Sequence, residues 1–210
     1  MRYARIFTLA VITASFLLAA YFYPWMPEKV ASHWDAGGNV NGYMPAFWGL
    51  FIMPIISLAL FLLFLALPLL DPLRKNIEKF RNYFEWFIAV LVSFMFYMLL
   101  LVLGWNLGLR FNMMQMMVPA FAIMIYFCGV MMGKAKRNWF IGIRTPWTMS
   151  SDKVWGRTHA LGARLFKAAA VVSLAGLLFP DYAIWLLAAP VLLVSIYTLV
   201  YSYVKYRALA

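Results

Sequence analysis

Residues 46–68 read AFWGLFIMPIISLALFLLFLALP, an apolar run without one charged side chain. A helix rising about 1.5 Å per residue needs about 20 such residues to cross roughly 30 Å of hydrocarbon, so this stretch is long enough to span a bilayer. Its apolar residues do not alternate with polar ones, which excludes a strand of a membrane barrel. Five further runs have the same character, at residues 4–23, 84–104, 115–132, 164–180 and 183–204, the fifth being short. The expected fold is all-α: a polytopic transmembrane helix bundle of six spans, one domain over residues 1–210. Pro54, Pro119 and Pro190 interrupt three runs, where kinks are tolerated if neighbouring helices, Ser/Thr side chains or water satisfy the freed carbonyls.

Composition agrees. Of 210 residues 66% are apolar and 12% charged, too little polar surface for a water-soluble globule of this size. A net charge of +11 raises the question of a nucleic-acid partner, and the distribution of the charge answers it. Arg2 and Arg5 precede the first span, and Arg74, Lys75, Lys79 and Arg81 lie between spans two and three. Lys134, Lys136, Arg137, Arg144, Lys153, Arg157, Arg164 and Lys167 lie between or just inside spans four and five, and Lys205 and Arg207 follow span six. Only Lys29 and Arg110 occupy the opposite loops. This is the positive-inside pattern of a multi-pass protein of a prokaryotic plasma membrane with both termini cytoplasmic, and no direct nucleic-acid contact is needed to explain it. The first span is expected to stay uncleaved, because Leu18-Ala19-Ala20 lacks the small residue three positions back that a signal peptidase site requires. Cys128, alone in a span, reads as a small buried apolar residue.

Two loops are too patterned to be linkers. The extracytoplasmic loop, residues 24–45, lies within YPWMPEKVASHWDAGGNVNGYMP (23–45), where the prolines stiffen the exit from span one and Asn41-Gly42 is a strong turn pair. Trp25, Trp34, Tyr43 and Trp48 suit the headgroup level. Asp35, Asn39 and Asn41 alternate as in a calcium loop, but Val40 stands where the sharp turn needs Gly and Ala46 where a bidentate Glu would complete the shell, so a tight turn is the better account. The cytoplasmic loop, residues 133–163, includes GKAKRNWFIGIRTPWTMSSDKVWGRTHALG (133–162) and looks extended before Pro146. Ser150 or Ser151 followed by Asp152 then reads as a helix N-terminus. Val154, Trp155, Thr158, Leu161 and Leu165 recur at helical spacing, predicting a short amphipathic helix that lies on the membrane surface or leads into span five.

Two motifs carry a resemblance. Pro27-x5-His33-Trp34-Asp35-x2-Gly38-x3-Gly42-Tyr43 and Gly133-Lys134-x-Lys136-x-Asn138-x2-Ile141-Gly142-Ile143-Arg144-Thr145-Pro146-Trp147-Thr148-x-Ser150-x3-Val154-Trp155-x2-Thr158-His159 together resemble the SdpI immunity-protein family over nearly the whole chain. Asp35 and Asn41 stand where typical members carry Asn and Asp. The resemblance implies a membrane protein that protects a cell from a secreted antimicrobial peptide toxin, with some members also recruiting a transcriptional repressor to the membrane. The alternative is a membrane enzyme acting on a lipid or envelope precursor, or a general envelope-stress factor of the same architecture.

The residues themselves argue against catalysis, a cofactor or a metal. The two histidines fall on opposite sides, and His33 with Asp35 offers two ligands where zinc wants three or four. Glu85 and Lys167 lie near span ends, within reach of the interface, and Asn106 lies at a span edge, so no ionisable group marks an ion-coupled transporter. The candidate toxin- or ligand-binding residues are therefore His33, Trp34, Asp35, Gly38, Asn41, Gly42 and Tyr43, with a purely structural lid as the rival reading. The candidate cytoplasmic signalling epitope comprises Asn138, Gly142, Arg144, Thr145, Pro146, Trp147, Ser150, Asp152, Trp155, Thr158 and His159. Arg144 is placed to bind a lipid phosphate or stack on a Trp ring, and membrane lipids are expected partners on both faces.

Overall fold

The computed structural model describes residues 2–209. Helix α1 (Arg2–Phe22) leads through a 3-10 turn into a hairpin of β1 (Lys29–Trp34) and β2 (Val40–Pro45). Then come α2 (Ala46–Leu70), a short α3 (Arg74–Glu78), α4 (Arg81–Asn106), α5 (Met113–Met132), α6 (Pro146–Ser150), α7 (Asp152–Ser173) and α8 (Ala183–Arg207). Six helices are long and apolar enough to cross a membrane: α1, α2, α4, α5, α7 and α8. Apolar side chains cover the outer faces as well as the core, as at Leu192, Leu193, Ile196 and Tyr197 of α8, which is the composition of helices solvated by lipid. Several hydroxyls inside the bundle satisfy themselves on the preceding turn, Thr8 on Ala4, Ser15 on Val11 and Thr198 on Val194.

The most extensive helix interface joins α5 and α7. Gly129 and Gly133 are four apart on α5, and a Cβ on Gly129 would stand 2.8 Å from the Ala163 carbonyl oxygen. Two backbones approach this closely only where side chains are absent, and dispersion between them replaces the hydrophobic drive that lipid does not supply. Gly133, the cap of α5, lies against Ala163, so residues 152–162 of α7 project beyond the end of α5. The amphipathic helix expected after Ser150 or Ser151 is thus one continuous rod with span five, capped by Ser151 on Val154 N–H. The segment before it is not wholly extended, because Pro146 opens the single helical turn α6.

Glu85 departs from expectation. It does not reach the interface: it is 3% exposed one turn into α4, where Arg5 of α1 and Arg81 come to it, Arg5 Nε at 3.0 Å and Arg81 Nε at 3.1 Å from Oε1. A carboxylate out of water requires such partners, and here they tie the N-terminal helix to α4. Lys167 sits about one turn further into the bundle than Ala163, with Nζ 5.7 Å from the Tyr126 ring centroid.

Candidate functional site

At one end of the bundle the hairpin forms a lid. An isolated two-stranded hairpin is marginal in water, and this one is held from outside. Asn106, the last residue of α4, accepts from Ala31 N–H at 2.8 Å and donates back to Ala31 O at 3.1 Å, so it acts as a third strand for one residue. Val30 is fully buried against Gly49 of α2. At the tip, Asn112 caps α5 through Gln115 N–H and donates to Gly37 O at 3.1 Å.

The turn lies elsewhere than the Asn41-Gly42 pair suggested. Asp35 Oδ1 accepts from Gly37 and Asn39 N–H, both at 2.9 Å, and Gly38 takes φ +83°, so the chain reverses over 35–39. Asn41 and Gly42 lie within β2. Gly42 faces His33 across a bulge, where a Cβ would come within 2.9 Å of the His33 Cβ. His33 does not meet Asp35. Its Nδ1 pairs with Asn41 Oδ1, and both side chains are exposed. Tyr43, Trp25 and Trp48 are also exposed, an outward aromatic collar, whereas Trp34 turns inward and meets Trp105 edge-on with centroids 6.0 Å apart. The Trp34 indole N–H is buried with no acceptor.

Beneath the lid lies a cavity of about 340 Å³ lined by Trp34 and by methionines of three spans, among them Met53, Met95, Met98, Met113 and Met117. Met is unbranched and polarisable, so such a lining adapts its shape to apolar guests. These residues were missed at the level of sequence. The available signal was the cluster Met113-Met114-Gln115-Met116-Met117, which holds four of the chain's 14 methionines.

The opposite end is a rigid polar frame. Asn138, fully buried, donates to the carbonyls of Lys136 and Ile141 and accepts from the N–H groups of Phe140 and Ile141. Asp71 Oδ2 accepts from Trp139 N–H at 2.9 Å and Asn76 donates to Arg137 O, tying the loop to the α2–α3 connection and α3. Thr145 and Thr148 form a reciprocal capping box, and Thr145 Oγ1 reaches Ser202 of α8 at 3.0 Å. Trp155 stacks on His159 at 3.9 Å and donates its indole N–H to Ala135 O. His159 Nε2 accepts from Ile143 N–H at 3.0 Å while Nδ1 donates to Trp155 O, which requires the neutral ring protonated on Nδ1. Gly142, at φ +113°, is obligatory: a Cβ would collide with His159 Nε2.

The expected epitope therefore divides. Asn138, Thr145, Trp155, Thr158 and His159 are buried and act as scaffold. An irregular loop in the interior needs side chains to satisfy its backbone, and Asn138, Thr145 and His159 do so here. Arg144, Pro146, Ser150 and Asp152 are exposed, and Trp147 is half-buried on Tyr203. Arg144 is occupied by Trp139 O, and Asp152 pairs with Arg137 at 2.9 Å.

Residues 134–202 match the SdpI/YfhL protein family, and residues 10–58, which include the hairpin, match a domain of unknown function (DUF1648). Along 206 residues, 98% of this chain and 97% of the relative, the sequence is 22% identical to "Immunity protein SdpI" of Bacillus subtilis (strain 168). No solved structure matches. These similarities bear out the family resemblance read from the two loop motifs, and with the six apolar helices they make the chain a multi-pass protein of the cell membrane.

Proposed function

We propose that this relative of the SdpI immunity proteins confers immunity to a secreted antimicrobial peptide toxin by binding it at the hairpin end of the bundle, without catalysis. The observation that carries the reading is a clamped lid over a methionine-lined cavity, in a chain similar end to end to an immunity protein. The hairpin end faces outward and the basic end faces the cytoplasm, as the positive-inside charge distribution supports. An amphipathic peptide arriving from outside meets the collar of Trp25, Tyr43 and Trp48 first, buries apolar side chains among the methionines, and finds directional partners in His33 and Asn41 on the lid. Sequestering the peptide in this way keeps it from the bilayer.

The cytoplasmic end supports a second role, recruitment of a repressor protein. Arg144, Pro146, Trp147, Ser150 and Asp152 stand on a frame with a fixed geometry, which is what a docking surface requires. Survival of a toxin-sensitive bacterium against a panel of secreted peptides tests the first role and a reporter of the repressor's promoter in the same cells tests the second, with wild type beside His33→Ala and Arg144→Ala at matched membrane levels. Protection by wild type that falls with His33→Ala is expected, with Arg144→Ala affecting reporter repression rather than survival. A wild-type protein that inserts normally and protects against nothing rules the reading out.

A further inference from the structure

Between α3 and the projecting part of α7, at the basic end, lies a second cavity of about 410 Å³, which shares only Asp152 with the docking surface above. Its walls differ in kind from those of the outer cavity. Met132 and Gly133 at the end of α5 and Ala160 of α7 form the side toward the spans, and Lys79, Lys136, Arg137 and Asp152 bring charge to the remaining wall beside Trp155 and His159. Arg137 is already committed, with its guanidinium on Met149 O at 2.7 Å and on Asp152, which is also the acid of this cavity. His159 contributes no charge, because the Ile143 N–H bond holds it neutral. The charge left over is that of Lys79, whose Nζ touches Asn76 Oδ1 at 3.3 Å, and of Lys136, whose ammonium has no hydrogen bond or ion pair among the described residues.

Two ammonium groups with spare donors thus border a space with room for about a dozen waters. The space opens beside the end of α5 and the first turns of α7. Lys binds phosphate as a compact point charge, and basic pockets beside spans take phosphorylated headgroups. We propose that this cavity, between Lys79, Lys136 and the ends of α5 and α7, binds a phosphate group, supplied by an anionic phospholipid headgroup or by free phosphate in the cytoplasm.

A bound phosphate bridges α3 to the loop that carries Arg137 and Asp152, so the ligand stiffens the base of the exposed surface around Arg144. The test is native mass spectrometry of the intact protein in detergent, with phosphatidylglycerol or phosphatidylcholine added, together with calorimetric titration of inorganic phosphate into lipid-free protein. Three proteins are compared: wild type, Lys79→Gln/Lys136→Gln, and the control Lys153→Gln/Arg157→Gln, which removes the same charge from exposed positions outside the cavity. Wild type is expected to retain phosphatidylglycerol over phosphatidylcholine, or to bind inorganic phosphate. The cavity pair lowers that affinity about thirtyfold, and the control pair leaves it within about threefold. Preference for the lipid with no response to phosphate identifies the headgroup as the source, and the converse identifies the free anion. Equal loss in both double variants overturns the proposal in favour of general surface attraction, and wild type binding neither ligand overturns it outright. The wild-type comparison of the two lipids decides the matter even where the cavity pair folds poorly.

Discussion

Asn106→Leu isolates the lid. Leucine keeps the branched four-heavy-atom skeleton of asparagine but offers no polar atom, so Ala31, itself 3% exposed, loses the acceptor of its N–H and the donor to its carbonyl. Leaving a buried backbone group unpartnered costs about 1–3 kcal/mol, which for two groups sets the docking penalty at about 2–4 kcal/mol after partial relaxation. The hairpin then comes off the bundle more often, and because two strands alone are marginal its amides open with the undocking. Hydrogen exchange of the purified protein reads this directly. Amides of residues 29–45 are expected to exchange about thirty- to a thousandfold faster than in wild type, with those of α7 unchanged. His33→Ala, on the exposed side of the hairpin, should leave exchange within about threefold. Unaltered exchange at residues 29–45 in Asn106→Leu would show that the lid is held by something other than this side chain.

Asn138→Ala leaves four backbone groups of the loop between α5 and α6 without partners and should cost about 4 kcal/mol in a reversible detergent-unfolding titration, with Asn138→Asp losing about half, since it keeps the acceptor. Gly142→Ala meets both an unfavourable φ of +113° and the His159 ring. It should destabilise by about 2–4 kcal/mol, seen as a lowered melting temperature, and a melting curve like that of wild type would show that the loop repacks freely. Glu85→Gln weakens the tie between α1 and α4. Because Arg5 and Arg81 are both partly solvated, the expected loss is only about 1–3 kcal/mol, measured in the same titration. Trp34→Phe removes a buried N–H that has no acceptor, so stability should change by less than about 1.5 kcal/mol, whereas toxin protection should fall if a ligand carbonyl uses that donor.

The six spans were legible because the bilayer demands long apolar runs and tolerates little else, so hydropathy alone locates them. Span five was read from residue 164, where hydropathy rises. The helix itself starts at Asp152, because its first turns are amphipathic and pack on the loop rather than on lipid. The tight turn read over residues 35–42 falls at its first half rather than at Asn41-Gly42 for a local reason: Asn-Gly is a good turn pair anywhere, but an Asp35 carboxylate able to hold two N–H groups at once fixes the reversal earlier. Polar residues of the cytoplasmic motif were read as a surface, yet Asn138 and His159 are spent on the backbone of their own loop. The outer cavity was invisible for the opposite reason. Each methionine is an unremarkable apolar residue of its span, and only the packing of three helices under Trp34 brings them together.

The central claim is that a secreted peptide enters the cavity beneath the lid. Its most direct measurement is site-specific photocrosslinking in living cells, with a photoreactive amino acid at Met117 in the cavity or at Ile196 on the lipid-facing side of α8, and exposure to a peptide against which the wild type protects. A peptide adduct at position 117 and none at 196, lost in the Asn106→Leu background, is the predicted result. Protection with adducts at neither site, or at 196 alone, would contradict the account.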